Sequence, residues 1–327
     1  MMKEIFTNDS YDSYKTIDIA EVERYLGSME FTIPTKSILD LQSKVIEWIS
    51  MNDCGAIIYG ESRVGKTRAI RYLASHLKEK YGSQLPVYTM NATDQIPTQK
   101  NFYATVLGAL GHEEAYKGTA VQMRQRIVNR IIVNALDTKY RRAVLFVDEA
   151  YLLSIKEYTW LIDLYNELNL KNILLTVFLV GTPELKEQKS GFIRAGKKQI
   201  VLRFMVNEFE FKGITSLRDA MICMASIDKP FKIPGYNSDI ILSKLFFPKA
   251  YESGYEMVNF AEDLWNAFKI VKQQNDIHDD QIVMKHFMAA ITYCFRKYGA
   301  YNEAVFAPTT DEWINSIVDS GFVSSQI

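Results

Sequence analysis

Eight consecutive residues, Gly60-Glu61-Ser62-Arg63-Val64-Gly65-Lys66-Thr67, have the types and spacing needed to hold a chain of phosphates. Two glycines allow a tight turn that aims backbone N–H groups inward. A helix beginning at the loop's end adds partial positive charge. Lys66 is placed to reach the outer phosphates, and the Thr67 hydroxyl to ligate Mg²⁺. A second group is the Asp148-Glu149 pair, which follows the apolar run Val144-Leu145-Phe146-Val147. At the end of a buried strand, Asp148 suits a cation and Glu149 suits polarising a water as general base. A third is Thr182 in Gly181-Thr182-Pro183, again ending an apolar run, where a hydroxyl can bond the attacking water or a terminal phosphate. A fourth is the basic set Arg194, Lys197, Lys198 and Arg203. An arginine here suits neutralising transition-state charge in a neighbouring copy. Arg203 is the first choice and Arg194 the reserve.

These groups need strands that end together. Short apolar runs at 54–59, 85–90, 143–147 and 173–180 read as strands, with 199–204 and 208–211 as shorter ones. Between them, 38–49, 66–80, 101–111, 122–136 and 155–168 carry helical spacing. Continuous apolar strands separated by helices predict an α/β fold: a parallel sheet covered by helices on both faces. After 212 the pattern turns helical, at 214–226, 255–274, 280–298 and 310–319. The sequence therefore divides into a polar, irregular N-terminal extension (1–35), an α/β nucleotide-binding core (36–212) and a smaller all-helical lid with the C-terminal region (213–327).

With 327 residues, 48% hydrophobic, 24% charged and a formal net charge of −1, the chain reads as two packed domains and not as a disordered or uniformly basic protein. Cys54, Cys223 and Cys294 are scattered in apolar surroundings, as expected of reduced thiols. No run is long enough to span a bilayer and the N-terminus lacks a secretion signal, so a soluble cytoplasmic protein is expected. Asp276, His278, Asp279 and Asp280 read as the polar start of a helix, with Asp279 or Asp280 as its cap. Phe246, Phe247, Tyr251, Tyr255, Phe260, Trp265 and Phe268 read as lid core or a docking face. The tail 322–327 reads as flexible.

The order of parts resembles the AAA+ superfamily of P-loop ATPases. More narrowly, Gly60 through Ile70, Asp148-Glu149-Ala150-Tyr151-Leu152-Leu153 and Leu179-Val180-Gly181-Thr182-Pro183-Glu184-Leu185 resemble the TnsC/TniB family of transposition regulators. The resemblance covers about 33–212. It implies ATP and Mg²⁺ as cofactors, with Gly60, Glu61, Ser62, Arg63, Val64, Gly65, Lys66, Thr67, Arg68 and Asp148 around the nucleotide. Thr67 and Asp148 fall to the metal, Glu149 to catalysis, Thr182 to the sensor and Arg203 to the trans finger. The lid stretch Ser253-Gly254-Tyr255-Glu256 lacks the arginine common in such lids, which implies slow, regulatory hydrolysis. The resemblance further implies a homo-oligomeric ring or helical filament on double-stranded DNA, nucleoid-associated in a prokaryotic cytoplasm. It would link a target-recognition adaptor to transposase subunits, with DNA contacts from Lys100, Lys117, Thr119 and Arg124. A remodelling or motor ATPase in repair or secretion, and a monomeric ATP-gated signalling switch, are the alternatives.

Overall fold

The computed structural model describes residues 18–28, 31–233, 239–299 and 305–325, which divide into two compact units. Residues 1–17 and 326–327, part of the expected N-terminal extension and of the expected flexible tail, lie outside the described residues.

The unit 37–212 is built on a sheet of five parallel strands in the order β2-β3-β4-β1-β5: β1 Gly55–Tyr59, β2 Val87–Asn91, β3 Arg142–Asp148, β4 Leu174–Gly181 and β5 Asn207–Glu210. The inner strands β3 and β4 are apolar almost throughout and buried on both faces, as a helix-covered parallel sheet requires. The register aligns the strand ends: Asn91 lies opposite Asp148, and Tyr59 lies opposite both Gly181 and Glu210. The residues that follow β1, β3 and β4 therefore emerge along one edge of the sheet, where open parallel sheets take their ligands.

The covering helices are α2 (Lys36–Ser50), α3 (Lys66–Tyr81), α4 (Gln99–Ala109), α5 (Ala120–Ala135), α6 (Ile155–Asn169), α7 (Glu184–Arg194) and α8 (Lys198–Phe204). Several starts are specified locally. Thr119 and Ser154 each close a reciprocal capping box, with Gln122 and Glu157 respectively. At the opposite edge of the sheet, buried Arg142 donates to Ile49 O and Asn52 Oδ1, which ties β3 to the end of α2.

Two departures from the sequence reading have physical causes. The expected strand at 199–204 is instead α8. Ile200, Val201 and Phe204 are buried at helical spacing, while Leu202, which a strand would have turned inward with Ile200 and Phe204, is 69% exposed. Helix α7 goes unread because only Leu185 and Phe192 among its residues are buried, too sparse a pattern to show a period.

The second unit combines the described residues before Ser37 with those from Gly213 onward. Its helices are α1 (Ile19–Gly27), α9 (Leu217–Ile227), α10 (Leu242–Phe246), α11 (Pro248–Glu252), α12 (Ala261–Gln274), α13 (Met284–Tyr298) and α14 (Thr310–Asp319). Residues 18–28 are not irregular. Asp18 caps α1 by accepting from Ala20 N at 2.9 Å, and Val22 and Leu26, one turn apart, are buried in this unit's core. Glu23 in turn accepts from Arg296 Nη2 at 2.6 Å. Phe246, Phe247, Phe260 and Phe268 are core residues here, and buried Phe322 brings 322–325 onto the same core, so that stretch of the tail is placed and not loose. Asp279 and Asp280 cap no helix: α13 begins at Met284, and Asp279 instead accepts from Gln281 N at 3.0 Å in a local turn.

Asp228 is a multiply bonded carboxylate of this unit. Its Oδ1 accepts from Ser243 N at 2.8 Å, and its Oδ2 accepts from Ser243 Oγ at 2.7 Å and Met257 N at 3.0 Å, with the residue 9% exposed. Asp228→Ala removes the acceptor of three donors, two of them backbone. Its unfolding free energy is expected to fall by about 3 kcal/mol, read by urea unfolding followed by circular dichroism. A loss below about 1 kcal/mol would mean that water replaces the carboxylate.

Candidate active site

β1 delivers the chain to Gly60 with little room. Gly60 N donates to Gly181 O at 3.2 Å, and Phe211 N donates to Tyr59 O at 2.7 Å. A Cβ at Gly60 would sit 2.2 Å from Phe211 O, so no other residue fits without moving β5's continuation. The loop then bulges outward. Glu61, Ser62 and Arg63 are exposed, Arg63 is left-handed (φ 63°), and Val64 is buried as the loop's anchor. Gly65 at φ 112° turns the chain into α3. Half-buried Arg68 lies in the first turn of α3, where burial lowers its pKa.

Lys66, 7% exposed, folds back across this loop. Its Nζ donates to Gly60 O at 2.7 Å and Glu61 O at 2.8 Å. Burial lowers its pKa, against the pull of the Glu149 and Asp148 carboxylates. Thr67 Oγ1 donates to Asp148 Oδ2 at 2.7 Å, joining the loop to the end of β3. Asp148 Oδ1 accepts from Glu149 N at 3.0 Å. Glu149 itself is left-handed, at φ 51° and ψ 36°. Thr182 Oγ1 is a buried oxygen with no hydrogen-bond partner. It lies near enough to the Glu184 carboxyl to hold that group's pKa below the usual range, without meeting hydrogen-bond geometry.

These observations test whether a nucleoside triphosphate and Mg²⁺ suit the site, and they do. The loop begins at Gly60, where there is no room for a side chain. Its buried cation, Lys66, donates to two neutral carbonyls. A hydroxyl and a carboxylate meet at 2.7 Å, the hard oxygen set that Mg²⁺ takes. The unpartnered Thr182 hydroxyl needs an occupant.

Residues 52–188 match the family model described as an AAA domain. This is an ATPase site. The ATPase core has the AAA-type α/β fold, a five-stranded parallel P-loop sheet, in a chain whose C-terminal part is helical. Among solved structures, the ORC2 protein of Aeropyrum pernix, determined as ADPNP–ADP complexes, is 11% identical with a TM-score of 0.60, over 91% of this chain and 71% of that one. The ORC1 protein of Aeropyrum pernix in complex with DNA is 16% identical with a TM-score of 0.42, over 80% and 65%. Drosophila ORC bound to poly(dA/dT) DNA and Cdc6 is 11% identical with a TM-score of 0.49, over 91% and 43%, so the ATPase spans less than half of that chain. At these identities the first likeness is one of fold. No curated protein matches the ATPase.

The structure gathers the phosphate loop, Asp148, Glu149 and Thr182 at one edge and leaves the basic residues elsewhere. Arg203 lies in α8, its guanidinium 5.8 Å from the Tyr165 ring centre and 3.3 Å from Asn166 Oδ1. The Tyr165 hydroxyl in turn meets Cys54 Sγ at 3.1 Å, just before β1 begins. Arg203 therefore sits at the start of β1, and the phosphate loop at its end. Arg194 is the exposed last residue of α7.

Among the expected DNA contacts, Lys117 pairs with Glu114 at 2.5 Å and Arg124 with Glu167 at 3.2 Å. The Thr119 hydroxyl accepts from Gln122 N as a helix cap, and Lys100 is exposed in the first turn of α4. Two residues at the site are given no role by the sequence: Tyr151, which lies within the Asp148–Leu153 motif and whose ring covers Gly181, and Gln188 in α7, which belongs to no motif. Among the described residues no helix is long and apolar enough to cross a membrane.

Proposed function

We propose that the chain is an ATP-switched oligomer that assembles on duplex DNA and regulates transposition in the manner of the TnsC/TniB family. It would link a target-recognition complex to a transposase. The observation that carries this reading is the grouping of Asp148-Glu149-Ala150 and Gly181-Thr182-Pro183 beside the phosphate loop at level strand ends. Those are the segments through which the sequence resembles that family.

In this reading Lys66 and the loop amides hold the β- and γ-phosphates. Thr67 and Asp148 hold Mg²⁺, which when bound neutralises charge on the phosphate oxygens. Glu149 takes the proton of the attacking water, and Thr182 bonds that water or the γ-phosphate. Arg203, with Arg194 in reserve, completes the site of a neighbouring copy. The placement of Arg203 at the start of β1 supports action in trans, since its own phosphate loop lies a strand's length away. Duplex DNA would be held through backbone contacts from Lys100, Lys117, Thr119 and Arg124. Such contacts read little sequence, which suits a protein that receives its target from another factor. Lys100 is the strongest of these, because Lys117 and Arg124 are already paired within the chain.

Electron microscopy of the purified protein tests the reading, with a slowly hydrolysed ATP analogue and with or without duplex DNA. Rings or filaments that form only with both ligands are the expected result. Single copies under every condition would overturn the oligomer and leave the ATPase site intact.

A further inference from the structure

Glu149 is held in a conformation that a glutamate does not choose alone. Its left-handed backbone costs roughly 1 to 2 kcal/mol. The chain continues as one 3₁₀ turn, Ala150–Leu152, closed by Leu152 N to Glu149 O at 3.0 Å and Leu153 N to Ala150 O at 3.1 Å. A single such turn is too short to support itself.

The support comes from α7. Gln188 Nε2 donates to Tyr151 O at 3.1 Å and to Leu153 O at 3.0 Å. Its Oε1 accepts from Tyr158 Oη at 2.9 Å. The orientation of the amide follows from its partners, since two carbonyls require donors. Tyr158 is fully buried in α6, and its hydroxyl also lies 3.4 Å from Ala150 O. One primary amide thus grips the turn at two carbonyls and is itself fixed by a buried phenol.

The same helix begins at Glu184, two residues after Thr182. The Tyr151 ring rests against Gly181, where a Cβ would come within 3.0 Å of Tyr151 Cδ1. Tyr151 also borders the catalytic carboxylate: its hydroxyl pKa is raised, first by desolvation and then by the charge of Glu149. The turn carrying Glu149 and the strand end carrying Thr182 are therefore pinned to each other by one side chain and one ring contact.

We propose that Gln188 is a positioning residue for hydrolysis: through Tyr151 O, Leu153 O and the Tyr158 hydroxyl it holds the 149–153 turn, and with it the Glu149 carboxylate, in register with Thr182. This rests on Glu149 acting as the general base. A base displaced by about an ångström loses up to about a hundredfold in rate while the phosphate loop still binds.

Gln188→Met tests it, because it keeps the chain length and removes both donors and the acceptor. The kcat for ATP is expected to fall about 10- to 100-fold, with nucleotide affinity changed by less than about twofold. In the nucleotide-free protein, backbone amides of 150–153 are expected to exchange with deuterium at least about tenfold faster. Tyr158→Phe keeps the ring packing and the two donated bonds, so it should give the same two changes at smaller size. Should Gln188→Met fail to fold, Tyr158→Phe carries the test. Glu149→Gln serves as reference. Unchanged exchange at 150–153, or unchanged kcat beside an inactive Glu149→Gln, overturns the positioning role alone. An active Glu149→Gln overturns the general-base reading and the inference with it, even where the exchange data show the clamp.

Discussion

Lys66→Met is expected to abolish the stabilisation that ATP gives this protein while leaving the nucleotide-free fold nearly as stable. Lys66 is almost buried, and among the described residues it donates its hydrogen bonds to the carbonyls of Gly60 and Glu61. Burial lowers its pKa, the mark of a charge that folding has stripped of water. A charge in that position favours the fold little, and an apolar side chain of similar length in its place is often neutral. The same charge becomes valuable once phosphates are present, because they supply the anionic partner that two carbonyls cannot. A ligand at a hundredfold excess over its Kd adds about 2.7 kcal/mol, which raises Tm by roughly 5 to 10 °C for a domain of this size. Thermal unfolding with and without Mg²⁺–ATP reads both parts. The expected result is a wild-type rise of that order, no rise in Lys66→Met, and nucleotide-free values within a few degrees of each other. A retained rise would show that the loop amides alone hold the phosphates.

How much of this was legible from sequence depended on whether a signal was local. The phosphate loop was legible because its requirements run along the chain: Gly60 cannot carry a Cβ against Phe211 O, Gly65 must adopt a positive φ, and Lys66 must follow at once. Strands β3 and β4 were legible because burial on both faces leaves no polar alternation. The level strand ends followed from the parallel sheet, which brought Thr67 and Asp148 together across 81 positions. Helix α8 was misread because a seven-residue segment rich in β-branched and aromatic residues carries strand propensity, and only Leu202's outward turn reveals the helical period. Helix α1 was missed because its apolar stripe of Ile19, Val22 and Leu26 runs for little more than two turns, and its burial is supplied by elements some two hundred residues later. Gln188 was invisible for a stronger reason. Nothing around it distinguishes it from a solvated glutamine, and its three partners come from two other segments.

The second large effect is expected at Glu149. Glu149→Gln should lower kcat by about a hundredfold or more, as loss of a general base does, with ATP affinity at or above that of the unmodified protein. The substitution changes little besides charge and proton affinity. Asp148 keeps its bond to Thr67, the Glu149 backbone N–H still donates to Asp148 Oδ1, and the left-handed turn is held by Gln188 whichever side chain it carries. Removing one of the carboxylates that act on Lys66 also relieves repulsion toward an incoming triphosphate, so binding should not weaken. Binding and turnover thus separate, and their separation is the measurement: single-turnover hydrolysis for the chemical step, and equilibrium binding of a fluorescent ATP analogue for affinity. If affinity falls as far as turnover does, Glu149 is serving the bound metal or the loop and not the water. If turnover persists, some other group accepts the proton. Loss of turnover with full affinity would leave a protein trapped with ATP bound, and that trapped form is the one in which any assembly on DNA should be longest lived.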